Sequence, residues 1–333
     1  MPSGITEADG MAYVGREPWH GLGTKVPGDA MTAAQALASA GLDWTVRLDP
    51  VYRRSIDGLM NKNAAYKFVV REDTDNVLGL VGSRYHVAQN VDTFDFIDAI
   101  VGSGDAHYNT AGSLWGGRRV FLLVQLMGDY ILDNGEALNS FLLLDNSHDG
   151  STALRMRLTK VRVVCQNTLA MASQGRAGFY ARHTSGMLSR VSEARNLLGL
   201  NDAHMRRYMA ECNMLAQEAW DSFNHEALVR DLFRIETRQE LGDLKGVTGV
   251  AARRVMGLFH TGVGNAGETR WDAYNAITEF VDYHRPLRNR LGSVDAQDEE
   301  TNTYRLENSW FARGGQALRT KAWTHLTDNA RIG

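Results

Sequence analysis

At 333 residues, 44% of them apolar and 23% charged, with five prolines, the chain has a globular composition and room for a sizeable core in one large domain or two smaller ones. Its formal net charge of −3 means that affinity for a polyanion has to come from a local patch. Cys165 and Cys212 are too few for a disulfide framework, the Met-Pro-Ser-Gly start lacks the regions of a signal peptide, and apolar runs such as 120–126 fall far short of the ~20 residues that span a bilayer. These features set aside secreted disulfide scaffolds and membrane spans, and the expected location is the cytoplasm, with no membrane association.

The first ten residues are small and polar and read as a loose arm. Pro18, Gly21 and Gly23 rule out a regular helix through GREPWHGLGTKV, where Trp19 and Leu22 are expected to pin a loop to the core. A short helix is expected from Thr32, with Ala34, Leu37 and Ala38 as its apolar stripe and Gly41 as its stop. The period then becomes two: Trp44, Val46 and Leu48 alternate with polar residues, as do Tyr66, Phe68 and Val70, and a turn at 73–76 leads into 77–81. Asn90 is placed as the cap of a helix with Val91, Phe94, Ile97 and Val101 inward. A second set of strands follows from His107, with a turn at 115–119, apolar strands at 120–126 and 138–144, turn residues at 146–150 and a strand through the basic run that starts at Leu154. A helix opening at Gln166 and a short strand at 179–183 complete the first half.

After Ser189 the spacing is helical, with Tyr208, Cys212 and Leu215, then Leu228 and Leu232, then Val250, Val255, Leu258 and Phe259. Trp271, Tyr274, Thr278 and Val281 share one helix face, and a last helix covers about 316–329. The predicted class is α+β: antiparallel β-meanders with packed helices, followed by a mostly helical C-terminal half. The division is a core domain over 1–185 and a helical region over 186–333 that packs on it.

Positive charge concentrates at 151–207, where ten Arg or Lys face only Glu193 and Asp202, a balance of +8 that leaves −11 for the rest of the chain. Leu154, Met156 and Leu158 alternate with Arg155 and Arg157, and the apolar set then slips to Val161 and Val163. A β-bulge at Thr159 and Lys160 would absorb the slip and gather Arg155, Arg157, Lys160 and Arg162 on one face, a row of cations suited to a phosphate backbone. The same row also fits a sheet face neutralised by acids of the helical half. Arg118 and Arg119, beside Trp115, join cations to a flat ring, the combination that single-strand binding uses, although a tryptophan at such a turn also packs inward. Asn167 stands at the entrance of the expected helix, and Arg176 and Arg182 extend the basic run.

Gly262, Gly264 and Gly267 satisfy GxGxxG, but a helical run precedes them and no strand follows the next helix, so an interhelical loop is expected and a dinucleotide cofactor is rejected. The ten histidines are scattered, without HExxH or CxxC, so no metal, cofactor or catalytic residue is predicted. His148 and Asp149 are read as capping groups of a turn.

GREPWHGLGTKV, VRVVCQNTLAMA, RWDAYNAITEFVDYH and GGQALRTKAW together resemble the phage/plasmid-like protein family that contains domain of unknown function 932. The resemblance spans nearly the whole chain and implies a mobile-element origin and the cytoplasm of a host cell, but no chemistry. A fainter likeness is to the Rad52-like single-strand annealing superfamily, in which antiparallel hairpins feed a helix opening on Asn-x-Leu. Asn167 and Leu169 look like that step.

The leading expectation is a non-enzymatic protein that binds and anneals single-stranded DNA or RNA as a homo-oligomer, in a ring if the Rad52-like likeness holds, without nucleotide hydrolysis. Arg155, Arg157, Lys160 and Arg162 would hold phosphates, with Arg118 and Arg119 contributing. A module that binds and redirects a host factor is the alternative from another class, and a metal-dependent nucleic-acid enzyme is the third.

Overall fold

The computed structural model describes residues 10–15, 23–101, 107–126, 130–162, 168–170, 178–199, 201–285, 287–289, 292–294 and 313–328. In chain order the elements are β1 (Met11–Tyr13), β2 (Thr24–Lys25), α1 (Ala33–Ser39), β3 (Val46–Arg54), β4 (Met60–Arg71), β5 (Val77–Gly82), α2 (Asn90–Val101), β6 (His107–Leu114), β7 (Arg119–Gln125), β8 (Tyr130–Ile131), β9 (Ala137–Ser147), β10 (Leu154–Arg162), β11 (Thr168–Ala170) and β12 (Phe179–Ala181). The second half holds α3 (Val191–Gly199), α4 (Asn201–Gln217), α5 (Ser222–Phe233), α6 (Gly246–Thr261), α7 (Arg270–Glu279), a π-helical turn (Phe280–His284), the small hairpin β13 (Leu287–Asn289) and β14 (Gly292–Val294), and α8 (Arg313–Asp328). The expected class, α+β with antiparallel sheets ahead of a helical half, is the architecture observed. Among the described residues no helix is long and apolar enough to cross a membrane.

A nine-stranded sheet runs β11-β10-β9-β7-β6-β1-β2, with β12 also on β10 and β8 on β9. Every pairing in it is antiparallel except β1 with β2. Its strands alternate, and one face carries Ala12, Ala111, Val120, Leu122, Val124, Leu142, Leu144, Leu154 and Met156 into the main core. The same core takes in residues of α1 and α2 and the inner face of a three-stranded sheet, β3-β4-β5, through Trp44, Val46, Val69, Leu78 and Val81. The opposite face buries a smaller cluster of Met11, Leu114, Phe121, Leu123, Phe141 and Leu143.

Several expected phases shift. In α1 the buried residue is Ala36, with Leu37 beside it, while Ala34 and Ala38 are exposed. In α2 Val91 is exposed and Thr93, Phe94, Phe96, Ile97 and Ile100 turn inward. In β4 the core takes Val69 rather than Tyr66 and Phe68, while Val70, beyond a register shift opposite β5, is buried as expected. The helix expected to open at Gln166 is absent at residues 168–170, which form β11 and complete the ladder on β10 with Lys160 opposite Leu169. Gln166 itself, Trp19, Leu22, Asn167, Arg176 and the first nine residues lie outside the described residues.

The helical half has a core of its own, built around α7, in which every residue from Trp271 to Glu279 is buried, not one face alone. Thr269 and Asp272 form a capping box at its start, and the Arg319–Asp282 ion pair, with both side chains fully buried, ties α8 to the π-helical turn that follows it. The 262–267 glycines form the interhelical loop expected of them, between α6 and α7. In α6 Val255, Leu258 and Phe259 are buried as expected, but Val250 faces solvent. The two halves join where Leu132 and Leu138, at β8 and β9, enter the helical core and Trp271 Nε1 donates to Glu136 Oε2 at 2.9 Å.

A buried polar junction fixes the small sheet on the large one. The Asn90 side chain does not cap α2; its Nδ2 donates to the carbonyls of Leu42 (2.9 Å) and Trp44 (3.1 Å). That orientation turns Asn90 Oδ1 toward His148 Nε2 at 2.9 Å, so Nε2 carries the ring proton and Nδ1 is bare. His148 is fully buried against the Trp44 ring, and is no turn cap. Burial, then the charges of His183 and Arg71, lower its pKa to about 3.

The folded value lies below the ordinary 6.5, so the contribution of His148 is complete above about pH 6.5 and is lost as pH falls toward 3. Over that window the loss approaches roughly 1.4 kcal/mol per pH unit. A His148→Gln variant, titrated by chemical denaturation between pH 7 and 4.5, is expected to show a flatter decline than the wild type; parallel curves would contradict the assignment.

Candidate nucleic-acid interface

The basic strand does not form a row of four cations. The β9–β10 ladder runs without a register shift from Arg155 opposite Asp145 to Arg162 opposite Leu138. There is no bulge at Thr159 and Lys160, and strict alternation puts positions 155 and 157 on one side of the ladder and positions 160 and 162 on the other. Arg155 and Arg157 instead share one acid. Arg155 Nε lies 2.9 Å from Asp145 Oδ2 and Arg157 Nη2 lies 3.3 Å from Asp145 Oδ1, with the carboxylate fully buried and the two arginine side chains 16% and 20% exposed. Burial lowers the Arg157 pKa and the Asp145 charge opposes that shift. A carboxylate removed from water at the centre of a sheet needs such partners, so these two arginines are structural.

The turn at 115–119 forms where it was expected, with positive φ at Trp115, Gly116 and Gly117. Trp115 is half-buried against the smaller sheet cluster, and Arg119 is buried with its guanidinium 5.4 Å from the Trp115 ring, so neither offers a stacking platform to a base. Arg118 is exposed, and its carbonyl accepts from His148 N at 2.8 Å.

Arg182 occupies a different setting. It lines an open cleft of about 900 Å³ with Arg84, Tyr66, Tyr85, Thr152 and His183. The walls come from β4, the turn that follows β5, the β9–β10 turn and the segment after β12. Gly79 makes this geometry possible, because a Cβ there would lie 2.5 Å from the Cα of Asp149, and the small sheet could not approach the β9–β10 turn. Tyr85 anchors the floor by donating from its hydroxyl to the Ser147 carbonyl at 2.8 Å, and its ring stacks on His183 at 4.6 Å.

The cleft is cationic and rich in hydroxyls. Arg84 and Arg182 are exposed and make no ion pair with a described residue. Asp149 stands behind the cleft, its carboxylate accepting from Ser151 N at 2.8 Å. Tyr66 is 47% exposed, unlike the half-buried Tyr85. His183 is only 8% exposed, and neither ring nitrogen completes a hydrogen bond. Burial lowers its pKa, while the nearby carbonyls of His86 and Thr152 and the charge of Asp149 pull the other way. Thr152 Oγ1 is likewise buried and unpaired. Two exposed cations, a flat ring and unspent polar atoms suit a ligand that carries both phosphate and base.

Of the residues singled out in the sequence, only Arg182 belongs to this cleft. Tyr66, Arg84, Tyr85 and His183 were missed, since Arg84 and Arg182 are far apart in the chain and no local spacing marks them. Among the described residues no group of three or more His, Cys, Asp or Glu is placed to hold a metal ion.

Architecture and cleft define an α+β protein with a basic surface cleft at the junction of two antiparallel sheets. The chain belongs to the family of domain of unknown function DUF932, whose model matches residues 77–310. Comparison with curated proteins and with solved structures gave no match.

Truncating Arg155 and Arg157 together to alanine leaves the Asp145 carboxylate buried and unpaired, with an expected loss of about 3–5 kcal/mol in unfolding free energy. Urea denaturation measures this; a double variant with wild-type stability would return both residues to a functional role.

Proposed function

We propose that the chain binds single-stranded nucleic acid through the cleft between the two sheets, as a non-enzymatic binder. Arg84 and Arg182 contact phosphates, the exposed face of Tyr66 stacks on a base, and the hydroxyls of Ser83, Ser151 and Thr184 complete the polar lining. The observation that carries this reading is the pair of exposed arginines, without acidic partners among the described residues, lining a cleft that also holds an exposed aromatic ring. The row 155-157-160-162 gives it no support. Strand annealing extends the same reading: two copies holding strands side by side, bases outward, would bring complementary sequences together without hydrolysis, which requires a homo-oligomer. The Rad52-like arrangement of hairpin and Asn-x-Leu helix is not part of the proposal, since Leu169 lies on a strand.

Fluorescence anisotropy with a labelled oligothymidylate tests it. Binding at low salt is expected to weaken as salt rises, with a slope of about −0.7 per phosphate contacted. Arg84→Ala and Arg182→Ala are each expected to cost tenfold or more, about 1.5 kcal/mol for a lost charge-assisted contact, with no change in melting temperature. No binding at low salt, or binding indifferent to salt, would end the proposal.

A further inference from the structure

Beyond the cleft, β3 and β4 continue as a two-stranded arm. Only positions 66–70 of β4 pair with β5, so the stretch from Val51–Asn63 through Arg54–Met60 has no third strand. Its four rungs extend roughly 14 Å past the small sheet, before the loop is counted. Tyr52, Arg53, Arg54, Met60, Asn61 and Lys62 are all exposed, so both faces of the ribbon meet solvent. An isolated pair of strands buries little and is marginal alone, which points to a partner that covers it.

The composition of the arm says what kind. From residue 51 to 63 it has Arg53, Arg54 and Lys62 against Asp57 alone, a balance of +2 in a chain of −3. The cations make no ion pair with a described residue. The single acid is already engaged. Asp57 accepts from the Ser55 hydroxyl and from Leu59 N at 3.3 Å, which lowers its pKa, and Asn61 Nδ2 donates to Ser55 Oγ at 3.1 Å. This network holds the loop with Gly58 at φ +85 and leaves Ile56 fully exposed and Leu59 64% exposed at the apex. Cations along the ribbon and exposed apolar side chains at its end match the two components of a nucleic acid, its phosphates and its bases.

Position ties the arm to the cleft. Opposite the step from Pro50 to Val51, β4 holds residues 64–66 with no partner on β3, and Ala65 and Tyr66 of that bulge line the cleft. The root of the arm is therefore a wall of the site.

We propose that this arm clamps the strand held in the cleft, with Arg53, Arg54 and Lys62 on its phosphates and Ile56 and Leu59 against its bases. This rests on the reading of the cleft as a nucleic-acid site. A 30-nucleotide and a 6-nucleotide oligothymidylate separate the two. The triple variant Arg53→Ala/Arg54→Ala/Lys62→Ala is expected to bind the long strand at least tenfold more weakly, with a salt slope smaller by about 2. Its affinity for the short strand, which fills the cleft alone, should match the wild type. Ile56→Ser/Leu59→Ser is expected to weaken long-strand binding without moving the salt slope, and circular dichroism checks that both variants keep their fold. Wild-type long-strand affinity in both arm variants, alongside losses in Arg84→Ala and Arg182→Ala, would overturn the clamp and leave the cleft standing. A fall in oligomer mass for Ile56→Ser/Leu59→Ser with unchanged long-strand affinity would assign the arm to a second copy and overturn the clamp as well. Absence of binding by the wild type to either oligonucleotide would remove the cleft reading and the clamp together.

Discussion

The contact on which the first half depends is the hydrogen bond between Asn90 and His148, two side chains with almost no access to water. Asn90 begins α2 yet spends its amide on the chain leading into β3, while His148 follows the last residue of β9. One amide thus ties a helix start, the entrance to the small sheet and the end of a central strand. Trp44 packs over the junction, with the Arg71 guanidinium 4.3 Å from its ring, so the two sheets meet across an aromatic and polar seam, not a purely apolar one. The cleft exists because this seam holds β5 close to the β9–β10 turn at Gly79.

Much of this was readable in the sequence, and the failures have specific causes. Period-two alternation located β7, an apolar run located β9, and helical spacing located α4, α5 and α6, because each buries a stripe of apolar residues. Short or bulged elements were misphased. In α1 small alanines surround a single buried Ala36, and in β4 the core takes Val69 and not Phe68, with a register shift one residue further on. The basic strand failed for another reason. Whether Arg155 faces solvent or a buried acid depends on which residue of β9 stands opposite, and Asp145 sits ten positions earlier, between the apolar run 138–144 and the turn residues from 146, where nothing signals an ion pair. Register is a tertiary property, and the cleft, assembled from four separate segments, is more so.

The helical half answers a different requirement. A helix buried on every side, as α7 is, needs partners for its polar residues; its ends find them in the Thr269–Asp272 box and in Asp282 with Arg319, while the buried Asn275 amide at its middle pairs with no described residue. The Trp271–Glu136 hydrogen bond makes the same helix one of the contacts to the large sheet, beside the bonds of Asn213 and Gln217 in α4 to Asp133.

The unopposed residues 64–66 have a geometric meaning beyond the wall they form. One side of the arm's root is longer than the other by three residues, so the hairpin has to bend toward its shorter side, and the length difference sets the angle at which it leaves the sheet. Aim and charge are therefore specified by separate parts of the chain. Adding or removing a residue in this short segment would re-point the arm while every cation on it stayed the same, so reach and direction could diverge among related chains without any visible change in the binding residues.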